Sequence, residues 1–413
     1  MFNRNIIQYI KTALSDTPVI FLNGARQTGK STLVSEILTT VPDSGYHTLD
    51  DAATLSLAVS DPTGFIHRKT GMMVIDEIQK APALFSAIKT AVDKDRRPGS
   101  FLLTGSANVL LLPRIAESLA GRMEVITLYP LSQGELAGHK ECFVDYLLSG
   151  KSFDDTLIPK ENDNNIEERI ITGGFPEPRQ RPDAARREAW FGAYMDALLQ
   201  RDIRQIANIT GLTELPRLLS LIASRQGSTL NMAELSRGTG IPHVSLKRYL
   251  TLLETAFLII RLTPWYPNTG KRMVKSPKLF LCDTGLSAWL MGVTQSRLTA
   301  EALLRGPLLE AFTASELKKQ LTWSIVRGAG LHFFRVERGP EVDFVIEDRR
   351  GRIVGIEVKA SMTLRSDDFA GLKALADQAG DRFVRGIVLY CGSEILSFEP
   401  TMTALPVSCL WTI

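Results

Sequence analysis

Apolar runs separated by glycine-bearing turns and helical segments dominate the first third of the chain. The first run leads into a glycine loop and a helix, in the segment PVIFLNGARQTGKSTLVSEIL. Three further apolar runs follow, in MMVIDEIQKAP, SFLLTGSANVLL and MEVITLYPLS. Continuous apolar runs of this length are typical of the strands of a parallel sheet, because helices cover both faces of such a sheet. The pattern therefore predicts an α/β core.

The loop after the first predicted strand matches the phosphate-binding pattern G-x-x-x-x-G-K-S and has the strand and helix that this pattern requires. Gly24 and Gly29 allow backbone N–H groups to turn toward phosphate oxygens, and the following helix presents its positive N-terminal end. Lys30 is predicted to reach the β- and γ-phosphates of ATP, and Ser31 to ligate Mg²⁺. The predicted nucleotide-binding residues of this loop are Gly24, Ala25, Arg26, Gln27, Thr28, Gly29, Lys30, Ser31 and Thr32. A glycine turn that arises by chance is the alternative interpretation.

A pair of acidic residues ends the second apolar run. Asp76 is predicted to hold Mg²⁺ through water, and Glu77 to polarise the water that attacks the γ-phosphate. The pair indicates ATP hydrolysis, with a surface acidic pair at a strand end as the alternative. Thr104, Ser106 and Asn108 follow the third run, and ligands lie outside the carboxyl ends of parallel strands. One of the three is therefore expected to contact the γ-phosphate, and we choose Ser106.

Residues 1–137 as a whole resemble the AAA-plus class of P-loop ATPases. This resemblance implies an arginine finger just before the last core strand, and Arg122 matches that position. Such an arginine stabilises charge on the transferred phosphoryl group of a neighbouring subunit, so the resemblance implies a homo-oligomer. An Arg122 that is solvated or paired with a carboxylate at a helix end is the alternative.

The middle of the chain changes character. Residues 138–227 include a polar stretch, IPKENDNNIEER, a turn rich in Gly and Pro, ITGGFPEPRQRP, and a segment of helical periodicity. We expect a helical lid and connector there. Residues 228–280 give a short helix, a glycine turn, a second helix and then strand-like segments, which is the order of a winged helix-turn-helix.

The predicted winged helix is basic. Residues 228–278 hold eight Lys or Arg and two acidic residues, a local charge of +6. Such a patch can bind nucleic-acid phosphates through salt-sensitive contacts. The candidate residues are Lys247, Arg248, Lys271, Arg272 and Lys275. Contact with DNA and contact with a protein both remain open, since no feature shows which bases would be read.

The segment LHFFRVERGPEVDFVIEDRRGRIVGIEVKAS alternates like two strands around a turn at DRRG. A turn centred near residue 350 places Asp343 opposite Glu357. Because side chains alternate across a strand, Glu357 and Lys359 lie on one face. With Glu310 from the preceding helix as a further ligand, the carboxylates are predicted to bind Mg²⁺ and activate water for phosphodiester hydrolysis.

This cluster resembles the PD-(D/E)xK nuclease superfamily, with Asp343 after a valine and then Glu357 and Lys359. The resemblance implies a small α/β nuclease-like domain over residues 281–413, or a degenerate nuclease fold whose charges form a buried ion-pair cluster. Over almost its full length, the order of P-loop, GGFPEP, KSPKLFLCDTGL and VDF…EVKAS resembles a widespread prokaryotic family. Its members couple an AAA-plus domain to a C-terminal domain of uncharacterised function, which implies ATP binding and leaves the substrate open.

Composition narrows the setting. A chain of 413 residues is expected to form two or three domains. The net charge of +3 does not by itself indicate a polyanion partner. Four distant cysteines without a CxxC pair fit a reducing cytoplasm without structural zinc. No apolar run approaches the ~18 residues of a membrane span, so membrane insertion and export are not expected.

Three functions remain in view. The first is a Mg²⁺-dependent ATPase whose nucleotide cycle controls a C-terminal module that faces nucleic acid, with a metal-dependent nuclease activity left open. The second is a nucleotide switch or remodelling ATPase that acts on a protein partner and uses a degenerate nuclease fold for assembly. The third is a regulator that binds duplex DNA through the winged helix without cutting it.

Overall fold

The computed structural model describes residues 2–41, 43–68, 71–106, 119–154, 157, 165–203, 212–268, 270, 272, 275–337 and 339–413. A first sheet contains β1 (Val19–Asn23), β2 (Gly45–Thr48), β3 (Met73–Asp76), β4 (Phe101–Gly105) and β5 (Met123–Thr127). Its strand order is β2-β3-β4-β1-β5, and all four pairings are parallel. The predicted parallel α/β core is confirmed. Strand β2 was not predicted, because GYHT is short and mostly polar.

Helices cover both faces of this sheet. They are α1 (Ile7–Leu14), α2 (Lys30–Leu38), α3 (Ala52–Ser60), α4 (Pro62–His67) and α5 (Ala83–Lys94). Side chains of β1 alternate between two apolar clusters: Ile20 and Leu22 pack with α1 and α2, whereas Phe21 packs with α5. Both faces of β1 are therefore buried, which explains its unbroken apolar sequence.

Helices fill the middle of the chain. They are α6 (Gln133–Ala137), α7 (Phe143–Leu148), α8 (Ile166–Thr172), α9 (Pro176–Arg179), α10 (Ala184–Ala197), α11 (Leu215–Ala223), α12 (Met232–Thr239) and α13 (His243–Thr255). The backbone continues from α10 into a π-helical turn at Leu198–Ile203. Trp190 and Tyr194 of α10 stack at 5.0 Å between ring centroids. Together with Phe175 of the GGFPEP segment, these rings join the cluster that buries α11 and α13.

A second sheet of eight strands occupies the C-terminal part. It contains β6 (Ile259–Pro264), β7 (Lys278–Leu281), β8 (Gly330–Arg335), β9 (Glu341–Glu347), β10 (Ile353–Lys359), β11 (Phe383–Tyr390), β12 (Leu396–Glu399) and β13 (Met402–Pro406). The order is β12-β13-β11-β10-β9-β8-β6-β7. Strand β6 pairs with β7 in an antiparallel hairpin and with β8 in a parallel register. A boundary between residues 280 and 281 therefore falls inside β7, in a sheet that continues on both sides of it.

The hairpin of β9 and β10 has the predicted register. Ile353 pairs with Glu347, and Ile356 pairs with Phe344, so the turn is centred at residue 350. Gly351 at this turn has φ of +79°, which a residue with a side chain rarely adopts. The alternation of the two segments and the DRRG turn were therefore sufficient to place Asp343 next to β10.

Helices α14 (Thr284–Met291), α15 (Gln295–Ala300), α16 (Ala302–Trp323), α17 (Ala370–Ala379) and α18 (Cys409–Thr412) pack against the second sheet and the connector. Phe312 and Leu317 of α16 lie in the largest apolar cluster, which also contains residues of α7 and of β10. Five polar residues of α16 are buried as well, and Glu316, Lys319 and Gln320 are among them. Across the described ranges, no helix is both long and apolar enough to cross a membrane.

Candidate active site

The P-loop lies between β1 and α2 and has the backbone that its glycines predict. Gly24 approaches the β5 side so closely that a Cβ there would lie 2.1 Å from Leu128 O, and Gly29 has φ of +93°. The Lys30 ammonium lies 3.0 Å from Gly24 O and 2.8 Å from Ala25 O, inside the loop. Thr28 closes the turn through a 3.0 Å bond from its hydroxyl to Ala25 O. The loop is therefore wrapped around the lysine that is predicted to contact phosphate.

The remaining loop residues differ in exposure. Gln27 is exposed and has φ of +61°. Arg26 is half-buried, and Thr32 is exposed on the first turn of α2. The backbone from Gly24 to Thr32 thus forms a turn followed by the N-terminus of a nine-residue helix, with the positive end of that helix at the loop.

Ser31 and Asp76 meet at the end of β3. The Ser31 hydroxyl lies 3.2 Å from Asp76 Oδ2, and Thr104 donates a short hydrogen bond to Asp76 Oδ1. Tyr46 of β2 donates to Asp76 Oδ2 at 2.8 Å, and burial together with this bond raises the pKa of Tyr46 to about 12. A serine hydroxyl beside a carboxylate is a suitable donor set for Mg²⁺, which prefers oxygen ligands. Tyr46 was missed in the sequence because it lies on the unpredicted strand β2.

Glu77 follows Asp76 in a left-handed backbone conformation, with φ of 58° and ψ of 41°. Its N–H donates to the Thr104 hydroxyl at 3.2 Å. Its carboxylate accepts a short hydrogen bond from Gln79 Nε2 and lies 3.4 Å from the Ser106 hydroxyl. The structure therefore brings the predicted base next to the predicted γ-phosphate contact. Asn108, the third candidate at this strand end, lies outside the described residues.

Arg122 lies at the amino ends of the strands of the first sheet, whereas the P-loop lies at their carboxyl ends. Met123 pairs with Val19 at the start of β1, whereas the P-loop follows the end of β1. The Arg122 guanidinium pairs with Asp93 of α5 at 2.5 Å, and it is partly exposed. Arg122 therefore lies away from the P-loop of its own chain, and its role as an arginine finger stays a prediction.

A cavity of about 580 Å³ opens next to the P-loop. Its walls come from three separate parts of the chain: the N-terminal segment, the P-loop with α2, and the GGFPEP segment with α10. The residues that line it include Phe2, Arg4, Thr28, Pro176, Glu177 and Trp190. The GGFPEP segment is thus one wall of the compartment that the P-loop opens into.

Arg4 connects the P-loop to a buried group of carboxylates. Its guanidinium donates to Thr28 O at 3.1 Å and lies 3.2 Å from Glu135 Oε1 at the start of α6. Glu141 is buried beside Glu135, and burial with the nearby charge of Glu316 raises the pKa of Glu141 to about 8. Arg4 therefore links the backbone of the nucleotide loop to an acidic cluster beside α16.

Helix α16 supplies the other half of this junction. Glu316 accepts a hydrogen bond from Gln133 N at 2.9 Å, and Lys319 donates to Leu131 O at 2.9 Å. The two side chains also pair with each other at 2.6 Å. The first domain is therefore joined to the C-terminal sheet by buried polar contacts on one helix.

The predicted nuclease-like cluster contains a lysine that the sequence did not point to. The Lys278 ammonium, from β7, lies 2.9 Å from Glu310 Oε1 and 2.5 Å from Glu341 Oε1. Asp343 Oδ1 is 3.7 Å from the same nitrogen. Burial by itself lowers the pKa of Lys278, but the three surrounding carboxylates outweigh it and raise that pKa. An ammonium group thus lies between the carboxylates that were predicted to hold Mg²⁺.

Glu357 and Lys359 form the second half of the cluster and pair at 2.9 Å. Asp343 accepts a hydrogen bond from Val358 N at 2.9 Å, so it lies beside Glu357 as predicted. Burial and the charge of Asp343 raise the pKa of Glu357 to about 8, and burial with the same charge raises the pKa of Glu310 to about 7. In the part of the chain that the structure describes, no group of three His, Cys, Asp or Glu side chains is arranged to hold a metal ion.

The basic residues of the middle segment are divided between two environments. One face of α13 exposes Lys247 and Arg248 together with Val244 and Thr251, since positions three and four apart lie side by side on a helix. Arg272, in contrast, forms a two-pronged ion pair with Glu347 of β9.

The Arg272 guanidinium is therefore already paired with a carboxylate, and its contact with phosphate stays a prediction. Its guanidinium also donates to Tyr266 O at 2.7 Å, which fixes it against the second sheet. Lys275 is exposed, and Lys271 lies outside the described residues.

Comparison with known proteins identifies the family. A profile of an AAA domain matches residues 16–137, and profiles of two domains of unknown function, DUF8612 and DUF4143, match residues 163–297 and 305–410. The uncharacterized protein Rv2008c of Mycobacterium tuberculosis is 30% identical over 407 residues, which are 98% of this chain and 83% of that protein. This chain belongs to the family of Rv2008c. The uncharacterized protein MJ1544 of Methanocaldococcus jannaschii is 22% identical and spans 94% of this chain and 85% of its own length.

Among solved structures, the Walker-type ATPase paby2304 of Pyrococcus abyssi is similar at a TM-score of 0.43 and 16% identity, covering 70% of this chain and 96% of that one. For this member of the Rv2008c family, the AAA domain match and the P-loop geometry confirm the prediction of an AAA-plus ATPase in the N-terminal third. The DUF4143 profile covers the region where the sequence resembles nucleases, and it describes a domain of unknown function.

Proposed function

We propose that this protein hydrolyses ATP with Mg²⁺ at the site formed by Lys30, Ser31, Asp76 and Glu77. The observation that carries the proposal is the 3.2 Å approach of the Ser31 hydroxyl to Asp76, with Glu77 next to it. Ser31 and Asp76 would hold the ion, directly and through water. Glu77 would orient the attacking water, and Ser106 would contact the γ-phosphate.

Two variants test this proposal. Lys30→Ala is expected to weaken nucleotide binding or hydrolysis, because it removes the charge that faces the β- and γ-phosphates. Glu77→Gln is expected to keep ATP binding and lose turnover. Binding of a fluorescent ATP analogue and release of phosphate measure the two steps, with Lys94→Ala, exposed at the end of α5, as the control. Wild-type turnover in both variants would reject the site.

The adenosine part of ATP would lie in the cavity between the P-loop and the GGFPEP segment. Arg4 lines this cavity, and its contacts with Thr28 O and Glu135 offer a route from the nucleotide to α6. The nucleotide state would then reach α16 through Gln133 and Glu316. In this way the ATP cycle would control the C-terminal sheet.

The C-terminal half would use α13 to contact nucleic acid. Glu234 and Glu254, the two acidic residues of 228–278, already pair with Arg225 and Arg261, which leaves the exposed face of α13 basic. Helices α11, α12 and α13 followed by the β6–β7 hairpin have the order of a winged helix, and Lys247 and Arg248 would bind phosphates.

Electrophoretic mobility and fluorescence anisotropy with linear duplex DNA test this part. Binding is expected to weaken steeply with salt, and a Lys247→Ala, Arg248→Ala double variant is expected to bind more weakly at every salt concentration. ATPase activity that ignores added DNA, with equal binding by the double variant and wild type, would instead favour a protein partner.

The carboxylates around Lys278 support the degenerate form of the nuclease-like fold. An ammonium between Glu310, Glu341 and Asp343 provides the positive charge that a metal ion would otherwise supply. We therefore expect no cleavage of labelled DNA or RNA with Mg²⁺ or Mn²⁺, with or without ATP. Cleavage by wild type that is lost in Asp343→Ala and in Lys359→Ala would establish the nuclease instead.

A further inference from the structure

The side chain of Gln79 contacts the predicted base and the predicted γ-phosphate contact at the same time. Gln79 lies on the single 3₁₀ turn, Ile78–Lys80, that follows β3. Its Nε2 donates a short hydrogen bond to Glu77 Oε2 and a 3.1 Å bond to the Ser106 hydroxyl. One amide therefore joins the ends of β3 and β4, where the chemistry of ATP hydrolysis is proposed to occur.

The amide is held in one orientation by its surroundings. Its oxygen lies against Gly105, where a Cβ would be only 2.8 Å from Gln79 Oε1. A reversed amide would place Oε1 against the Glu77 carboxylate, two acceptors without a proton between them. The geometry thus fixes Nε2 toward Glu77 and Ser106.

This arrangement is not explained by stability. Gln79 Oε1 is buried and has no hydrogen-bond partner among the residues that the structure describes. A buried acceptor without a partner is unfavourable, and an apolar side chain of the same shape would avoid that cost. Glu77 adds a second unfavourable feature, since its left-handed backbone is rare for a residue with a side chain. Local features of this kind accumulate at sites that have a function.

We propose that Gln79 is a positioning residue for ATP hydrolysis: its amide sets the direction of the Glu77 carboxylate and its distance from Ser106. The inference rests on the proposed role of Glu77 as the group that orients the attacking water. Without the amide, the carboxylate is free to rotate, and a displacement of about 1 Å at a reacting group can lower a rate about a hundredfold. Nucleotide affinity is expected to change less, because the P-loop around Lys30 would hold most of the phosphate charge, whereas the Gln79 amide donates to Glu77 and Ser106.

Two substitutions of similar shape test the proposal. Gln79→Met removes the polar amide, and Gln79→Glu keeps the shape but removes the donor and adds a charge beside Glu77. Both are expected to lower kcat for ATP by about 10- to 100-fold and to leave KM within about threefold. Gln8→Met, on the exposed side of α1, is the control and is expected to change neither constant.

A double-mutant cycle separates positioning from general damage. In a Glu77→Gln background, Gln79→Met is expected to lower the small residual kcat by less than about twofold, because the group that it positions is already absent. Full multiplication of the two losses, or unchanged kcat in both Gln79 variants, would overturn the inference while leaving the ATPase site intact. Unfolding of both variants in a thermal melt would also overturn it, by assigning Gln79 to the fold alone. Full turnover in Glu77→Gln itself would reject the proposed function, and this inference with it.

Discussion

Removal of the Lys278 ammonium should destabilise the C-terminal sheet strongly and in a pH-dependent way. The side chain is 3% exposed and pairs with carboxylates of β9 and α16. Lys278→Met keeps much of its length but leaves those carboxylates without their partner. Breaking a buried ion pair by removal of one member costs about 3–5 kcal/mol, and we expect a loss of this size in the free energy of unfolding at pH 8.5.

The pH dependence follows from the raised pKa values of the cluster. The folded pKa is about 7 for Glu310 and about 8 for Glu357, above their unfolded values. In this range the folded state binds more protons than the unfolded state, so stability is greatest below the unfolded pKa and falls as pH rises through the folded pKa. Lys278 lowers the pKa of Glu310, so its removal raises that pKa further and extends the decline to higher pH. The difference between variant and wild type should therefore be smaller at pH 5.5 than at pH 8.5.

Urea unfolding followed by tryptophan fluorescence at pH 5.5 and 8.5 measures this difference, and Trp265 at the end of β6 is fully buried. Lys373→Met is a matched control, because Lys373 forms an exposed pair with Glu399. Its removal is expected to change stability by less than about 1 kcal/mol at either pH. Equal stability of Lys278→Met and wild type at pH 8.5, or a loss that is larger at pH 5.5, would refute this reasoning.

Three further results are expected. The thermal midpoint of wild type should fall between pH 6 and pH 8.5. The reason is that Glu141, whose pKa is raised to about 8, loses a proton that the unfolded chain has already lost. Glu141→Gln should show a smaller fall. Arg4→Met should destabilise by about 3–5 kcal/mol, because it leaves a buried carboxylate unpaired, whereas Arg97→Met at an exposed pair should cost less than about 1 kcal/mol in the same urea titration. Arg122→Met should fold normally but turn over ATP slowly. If Arg122 acts across a subunit interface, mixing this variant with Lys30→Ala should restore part of the activity. No recovery on mixing would argue against that role.

The parts of the site that the sequence predicted depend on local geometry, within one turn or one hairpin. The P-loop is one turn between a strand and a helix, so its glycines, Lys30 and Ser31 are recognisable without any tertiary contact. Asp343 and Glu357 are far apart in number, but a period of two and one turn at DRRG relate them. In both cases local geometry determines which side chains meet.

The parts that sequence missed depend on pairings between distant segments. Strand β6 aligns with β8 through Thr263 and His332, and this pairing brings Lys278 of the neighbouring strand to the carboxylates of β9. No periodicity in either segment indicates that partner. The same holds for Tyr46, whose strand is too short and polar to be recognised, and which reaches Asp76 only because β2 pairs with β3. The contact of Gln79 with Ser106 was also missed, because it depends on the pairing of β3 with β4.

Helix α16 constrains the spacing between two contacts that join the halves of the molecule. Its 22 residues span about 33 Å at 1.5 Å per residue, and one face of it contacts the nucleotide domain through Glu316 while Glu310 contacts the β7 lysine. One residue inserted between these two glutamates would leave every local sequence nearly intact but rotate one contact by about 100° relative to the other. The number of residues between the two glutamates should therefore matter more than the identity of those residues. It should decide whether a helix exchanged from a relative still joins the two halves of the protein.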